Sequence, residues 1–547
     1  MLLTPGRVAL SFAPEHRTPV AVNPDGEPSG AEERVGAVDV DVLVVGAGPT
    51  GLTAACEAIR HGLSVRIVDR KAYRSTFSKA LVVHARTLEV FETMGVAEAT
   101  VAEGQPFAAL NIHAGRRPRT VRVDLMELPW GDTAYPYWLS IPQYATERIL
   151  EEHLNRLGGE VEWQVSLDEL HEEGDHVEAR LKRADDGEDV VRSRWVVGCD
   201  GGRSRVREQV GLHLDRADAK ATFVLADVKT TADVIEDEGH VFLGPEGLLL
   251  IVPMPEPRRW RIIAHVPTPP SDTPITIDAA FLDALIRRRS GIEFGSHDVV
   301  WQSQFNLRHG IADHYRRGRV LLAGDAAHVH SPVGGQGLNT GVQDAHNLLW
   351  KLGVARRREV LRTEELLDSY EAERRPVARA MVRGTARATG ALTARSGLLR
   401  ALLGPVAPRI LSHPAVQARL GRAVGMLEIA YPVSPLANPA IASARAGRRM
   451  PNPELRTGGR LYQELDPGHY TWVVRQKHGE AFPHPSAPTW GGLPVVFLGD
   501  GSLVDGSGPL PPVVLVRPDR YVAGSGDSVE SVWSQLAVHP EQVPVPR

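Results

Sequence analysis

The sequence predicts an α/β protein: a doubly wound, Rossmann-like dinucleotide-binding domain, a mostly antiparallel sheet inserted in it, and a small α/β domain at the C-terminus. Three observations predict it. A strand runs straight into a glycine turn and a helix within 38–69, and a cluster of short apolar strands occupies 221–267. A second strand, glycine turn and helix follow at 319–352.

Order begins at Val38, where VDVDVLVV reads as a strand feeding Gly46 and LTAACEAIRHG as a helix closed by Gly62. VRIV then ends at Asp69, which completes a βαβ start. Residues 1–36 are rich in Pro, Gly, Ala and Glu without apolar periodicity, and predict a disordered leader. The cofactor domain is expected over 37–220, with strands at about 105–140 lent to the inserted sheet, and again over 311–395. ATFVLADV, GHVFL, GLLLIVPM and RWRIIAHV, separated by Gly, Pro and Asp, predict the substrate sheet within 221–310. RVLLA (319–323) is a buried-type strand; Ala345, Leu348, Leu349 and Leu352 then fall at helical spacing, and 364–394 continues as helix. A helical linker (396–440) leads to a separate module at 441–547, with strands HYTWVV and PVVLVR. Truncation before about residue 440 is therefore expected to spare the cofactor domain.

With 547 residues, 42% of them hydrophobic, the chain can bury two or three cores. A formal charge of -5 gives no broad attraction to nucleic acid or to an anionic membrane. No run approaches the roughly 18 apolar residues of a spanning helix, and the N-terminus lacks a signal-peptide pattern. Cys56 and Cys199, both in apolar runs, argue against a disulfide framework and for a reducing cytoplasm.

In VVGAGPTGL, Gly46, Gly48 and Gly51 let the backbone approach a pyrophosphate lying at the positive end of the next helix. Asp69 is placed to accept from a ribose; Pro49, Thr50 and Arg70 are assigned to the same site. This motif alone leaves FAD and NAD open. The string RVLLAGDAAHVHSPVGGQGLNTGVQDAHNLLWKL decides for a flavin. Asp325, after Gly324, can accept a ribityl hydroxyl. The loop Gly334, Gly335, Gln336 and Gly337 opens a helix near Leu338, with Asn339 beside it. Such a helix N-terminus stabilises negative charge at the flavin N1 and O2. In WVVGCDGGRSRVREQVG, Asp200 ends a further strand, and Ser204 and Arg207 lie one helical turn apart.

Together these motifs resemble the class A FAD-dependent aromatic monooxygenases of the para-hydroxybenzoate hydroxylase fold. HSPVGGQGLNTGVQDAHNL, WVVGCDGGRSRVRE and SKALVVHARTLEVF are similar to the branch of pentachlorophenol 4-monooxygenase and the polyketide hydroxylases. The resemblance covers about 38–395. It implies that Asp200 and Gly201 lie near the flavin and the nicotinamide approach, and that Gln143 and Lys79 touch the cofactor. Lys79 stands where the family usually has arginine, keeping the charge without the bidentate fork. Pro332 is implied to present its carbonyl to the substrate ring and to border the cofactor. The C-terminal module is implied to be thioredoxin-like; with no cysteine in it, dithiol exchange is excluded.

The implied reaction is hydroxylation of a small aromatic, phenolic or polyketide-type substrate. NADPH or NADH reduces FAD, and O2 reacts as a flavin C4a-hydroperoxide. No second GxGxxG follows a strand, so the nicotinamide cofactor is expected as a transient visitor, and the protein as a cytoplasmic enzyme or homodimer. No catalytic acid or base carries a motif; His240, Arg261 and His265 are candidates that are as readily structural. His328 and His330 lack the spacing of a metal site, and the run Arg356, Arg357, Arg358, Glu359 reads as a solvated helix end. The halogenase signature WxWxIP is missing. Baeyer-Villiger oxidation or epoxidation would use the same motifs, as would a flavin-binding partner or sensor without turnover.

Overall fold

A computed structural model describes residues 38–537, apart from 77–79, 115–118, 235–236, 245–246, 268–274, 330–333, 358–361, 394–412, 439, 477–488, 491–492, 500–501 and 504–509. The expected leader, Lys79, His330 and Pro332 lie outside the described residues.

The first sheet is parallel at its centre, in the order Val320–Leu322, Glu188–Gly198, Val40–Val45, Val65–Asp69, Val161–Trp163. Its central strand is almost wholly buried Val and Leu, as a strand covered on both faces must be. Chain order runs outward in both directions from Val40–Val45. The switch point therefore falls between that strand and Glu188–Gly198, where a doubly wound sheet opens a crevice at its strands' C-terminal ends. The hairpin Val165–Glu173 and His176–Arg183, attached to Glu188–Gly198, went unread in the sequence, although Val177, Ala179 and Leu181 alternate as buried residues along it.

Helix Pro49–Arg60 buries Ala54, Ala55 and Ala58, small residues that let it lie close to helix Gln336–Arg357. The latter starts two residues before the expected Leu338. Helix Thr363–Thr393 covers it from outside and carries Pro376 in its interior.

The second sheet has eight strands, in the order His328–Val329, Ser296–Ala312, Leu214–Thr230, Arg259–Val266, Gly247–Pro253, Glu238–Gly244, Ala109–Ala114, Arg119–Asp124. Only the pair of Glu238–Gly244 with Ala109–Ala114 is parallel. One face packs Val224, Ala226, Ile262 and Leu249 on Leu282 and Ile286 of helix Ala279–Ser290. The other carries Val241, Leu243, Leu250, Ile263 and Phe305, all half-buried around Phe223 and Leu248.

In the C-terminal module, Thr471–Gln476 pairs parallel with Leu493–Gly499 and antiparallel with Val513–Val516, which turns into Val522–Gly526. Alternation divides this sheet between two cores. Val514 and Val516 pack inside the module with Met450 and Leu461, whereas Val513 and Leu515 join the core of the cofactor domain. Buried ion pairs cross the same joint. Arg517 grips Glu373, itself paired with Lys351 of the same domain, through two bonds of 2.7 and 2.9 Å, and Arg449 joins Glu89. These contacts weld the module to the cofactor domain, and they count against the expectation that truncation before about residue 440 spares it.

Candidate active site

The switch point gathers the glycine motifs. At Gly46 (φ +105°) a Cβ would lie 2.5 Å from the carbonyl oxygen of Cys199, and at Gly51 one would lie 1.7 Å from the Gly46 carbonyl oxygen. Both are glycines because backbone meets backbone there. Gly48 differs: beyond its Cα nothing lies within 4 Å. It is the N-cap of helix Pro49–Arg60, without a side-chain cap, so the first-turn N–H groups face open space. Asp69 is buried; its two oxygens accept from Ala47 N at 2.8 Å and Lys71 N at 2.9 Å, which fixes the turn. Arg70 beside it is exposed.

Thr50 meets the second motif. A Cβ on Gly324 (φ +60°) would fall 2.5 Å from Thr50 Oγ1, and one on Gly341 2.2 Å from it. Asp325 projects, exposed, from the single turn Gly324–Ala326. Beneath it lies a fully buried carboxylate that sequence reasoning missed. Asp344 accepts from Gly324 N at 3.2 Å, from His328 Nε2 at 2.6 Å and from Arg374 Nε at 2.7 Å. Burial works to raise its pKa, but Arg374 and His328 hold the carboxyl below the ordinary range. The available signal was an acid on the buried face of an otherwise apolar helix.

Asp200 accepts from Arg205 N at 2.6 Å and Val206 N at 3.1 Å through one oxygen; the other is buried without a protein partner. Burial raises its pKa. Arg207, also buried, donates to the Ala326 and Gly202 carbonyls at 2.8 and 3.0 Å, tying the second and third motifs together.

The glycine loop is braced from below. Gly334 and Gly335 have φ of +86° and +62°. His84 Nε2 donates to the Gly334 carbonyl at 3.0 Å. Asn339 accepts from His84 N at 2.9 Å and donates to the Val82 and Gly335 carbonyls at 2.8 and 2.7 Å. Gly337 and Leu338 remain half-buried at the helix mouth. Gln143 opens helix Gln143–Arg156, accepts weakly from Ala80 N at 3.4 Å and donates to Glu147 at 2.8 Å.

Thus the motifs at 46–51, 199–207 and 324–339 converge, and of the acid-base candidates Arg261 reaches the Ala80 carbonyl beside them at 3.1 Å. His240 faces His113 Nε2 at 3.3 Å, toward the helix-covered side of the sheet, and His265 packs edge-on to Phe223. Arg261 is paired bidentately with Asp227 at 2.7 and 2.8 Å. Among the described residues no cluster of three metal-ligating side chains exists. The residues fit FAD: an uncapped helix end over open space for the pyrophosphate, an exposed acid for the ribityl chain, and a braced helix mouth for the flavin edge.

Two expectations follow here. Asp325→Ala removes a charged acceptor worth about 1.5–3 kcal/mol, so FAD affinity should fall roughly ten- to a hundredfold; titration of the folded variant checks this. Burial pushes His84 and His61 down to about 4. Their ordinary value is about 6.5, so on acidification the unfolded chain takes up these protons first. The stability they hold is intact above about 6.5 and is lost as pH falls toward 4. Thermal midpoints of the FAD-loaded protein should decline already between about pH 6.5 and 5, before most carboxylates titrate; a flat profile there would contradict it.

Residues 39–385 match the model of the FAD binding domain family. The chain is 41% identical to 6-methylpretetramide 4-monooxygenase of Streptomyces rimosus over 65% of its own length and 63% of that relative. It is 34% identical to 12-dehydrotetracycline 5-monooxygenase/anhydrotetracycline 6-monooxygenase of S. rimosus subsp. rimosus, covering 88% of this chain and 94% of that one. Among solved structures it is similar to OxyS anhydrotetracycline hydroxylase from S. rimosus, with a TM-score of 0.72, 30% identity, and 90% and 98% of the two chains covered. The match across the converging motifs and the near-complete overlap together place the chain in the FAD binding domain family, within the class A FAD-dependent aromatic monooxygenases.

Proposed function

We propose that the chain hydroxylates a fused-ring, phenolic substrate of polyketide type, using NADPH or NADH and O2. The observation that carries this reading is the half-buried apolar face of the second sheet. Val241, Leu243, Leu250, Ile263 and Phe305 offer a broad surface to a flat, uncharged ring system. Val252 on the neighbouring strand position packs on the same cluster as Val82, which lies beside Gly335, and this supports a surface that faces the flavin site. The charges on it, Arg261 and Asp227, satisfy each other, which disfavours a small carboxylate substrate. Relatives whose names refer to tetracycline intermediates support a polycyclic ligand.

Bound FAD supplies the electron transfer and oxygen activation. The chain's residues bind and orient: the helix end at Pro49 takes the pyrophosphate, Asp69 the ribose and Asp325 the ribityl chain. By the family resemblance Lys79 and Gln143 would flank the cofactor, and Pro332 would shape the ring pocket. The N-terminus of helix Gln336–Arg357 stabilises negative charge on the flavin's pyrimidine edge. We read the C-terminal module as thioredoxin-like, on its parallel pair, antiparallel hairpin and closing helix Val529–Trp533. Both cysteines are free and buried in the cofactor domain, which suits a cytoplasmic location and leaves the module a packing role.

Rapid-mixing measurement of flavin reduction by NADPH and NADH, with and without members of a panel of phenols and polycyclic quinones, tests this reading. A matching substrate should raise the rate at least tenfold, which needs only about 1.4 kcal/mol of differential binding between two flavin placements. Its product should gain one oxygen by mass. Equal rates for every panel member, with no oxygenated product, would refute the proposal.

A further inference from the structure

Behind the glycine loop, a small cavity of about 10 Å³ lies among Arg86, Gln343, His346, Tyr431, Asp519 and Tyr521. Three of its lining side chains each keep one buried polar atom without a partner in the protein: Arg86 Nε, Gln343 Oε1 and His346 Nε2. The residues are 2%, 4% and 3% exposed, so bulk solvent does not satisfy these atoms. Leaving a buried donor or acceptor unpaired is unfavourable for each of the three.

The chemistry of the three atoms is settled by their neighbours. Arg86 donates through Nη1 to Glu89 at 2.9 Å and through Nη2 to the Asp519 carbonyl at 2.8 Å, and its Nε–H is one further donor. His346 Nδ1 faces Glu57 Oε2 at 3.2 Å; a carboxylate accepts, so Nδ1 holds the proton and Nε2 presents a lone pair. Burial lowers the pKa of this imidazole and keeps it neutral. Gln343 Nε2 points to Met426 Sδ at 3.8 Å, which leaves Oε1 as a second acceptor. One donor and two acceptors thus surround a space near the roughly 10–15 Å³ that a single water needs.

We propose that this cavity is a binding site for one ordered water, which accepts from Arg86 Nε and donates to Gln343 Oε1 and His346 Nε2. A cation is disfavoured by the guanidinium, and chloride by the two lone pairs. The water ties together three pieces that the cofactor site depends on. Helix Gln336–Arg357 carries Gln343 and His346; helix Pro49–Arg60 is reached through Glu57; and the C-terminal hairpin is reached through the Arg86 bond to Asp519.

The test is a crystal structure of the full-length, FAD-loaded protein at a resolution that shows individual waters, with a second crystal soaked in bromide. The expected result is one density peak within hydrogen-bond distance of all three atoms, without anomalous signal. An empty cavity, an anomalous peak from bromide, or side chains that pair directly and close the space would each overturn the proposal. Gln343→Met, similar in length and without the acceptor, supplies a second reading. The peak should vanish or lose occupancy in that variant, and an unchanged peak would remove Gln343 from the site.

Discussion

Ending the chain near residue 440 is expected to yield no soluble flavoprotein. Glu373 and Glu89 are fully buried carboxylates, and Lys351 is a fully buried ammonium whose pKa burial has pushed down to about 8. Without the C-terminal module, Glu373 loses both bonds from Arg517, and Glu89 loses those from Arg449. Removing one partner of a buried ion pair costs about 3–5 kcal/mol. Two such losses, with the exposure of the shared apolar core at Trp472, Val513 and Leu515, compare with a total stability of roughly 5–15 kcal/mol. Arg517→Ala isolates one joint, with an expected loss of about 3–5 kcal/mol, measurable by denaturant unfolding of the FAD-loaded protein. A soluble 1–440 fragment that retains the flavin spectrum, or an Arg517→Ala protein as stable as the parent, would show that the joint is not needed.

The second large effect is expected at Asp344, a fully buried acid that holds the Gly324 turn in place. Asp344→Ala strands Arg374 and His328 in the core and frees the Gly324 amide, so stability should drop by about 3–5 kcal/mol. FAD affinity should drop with it, because Asp325 sits in the turn that Asp344 anchors. Asp344→Asn separates the contributions: it keeps a hydrogen-bonding group of the same size but loses the charge facing Arg374. Its turn, and hence FAD affinity, should be better preserved than its stability. FAD titration beside urea unfolding reads both, and an Asp344→Ala protein with parental FAD affinity would detach Asp344 from the cofactor site.

The local elements were legible wherever one short segment contains its own reason. VVGAGPTGL needs its glycines because backbone packs on backbone within the turn and against Cys199, and strand, turn and helix are all local choices. The strand read in PVVLVR was legible in the same way and stands at Val513–Val516. Not legible was the reach of each group. Arg86, Glu89, Arg449 and Asp519 look like ordinary surface charges along the chain, yet they lie buried together across separations of hundreds of residues.

The residues along the chain specified the dinucleotide turn and the choice of a flavin site, because each depends on residue types and spacings within about thirty positions. Only the tertiary structure decided three further points. Asp344 and Arg207 stitch the glycine turns together through the Gly324 amide and the Ala326 carbonyl; one face of the second sheet keeps Val241, Leu243, Leu250, Ile263 and Phe305 half-buried; and buried ion pairs join the C-terminal module to the helices before it. The physical reason is common to all three. A buried charge survives only beside its counter-charge, and an apolar face is defined by what does or does not cover it. Both are properties of partners distant in sequence, which periodicity along one segment cannot report.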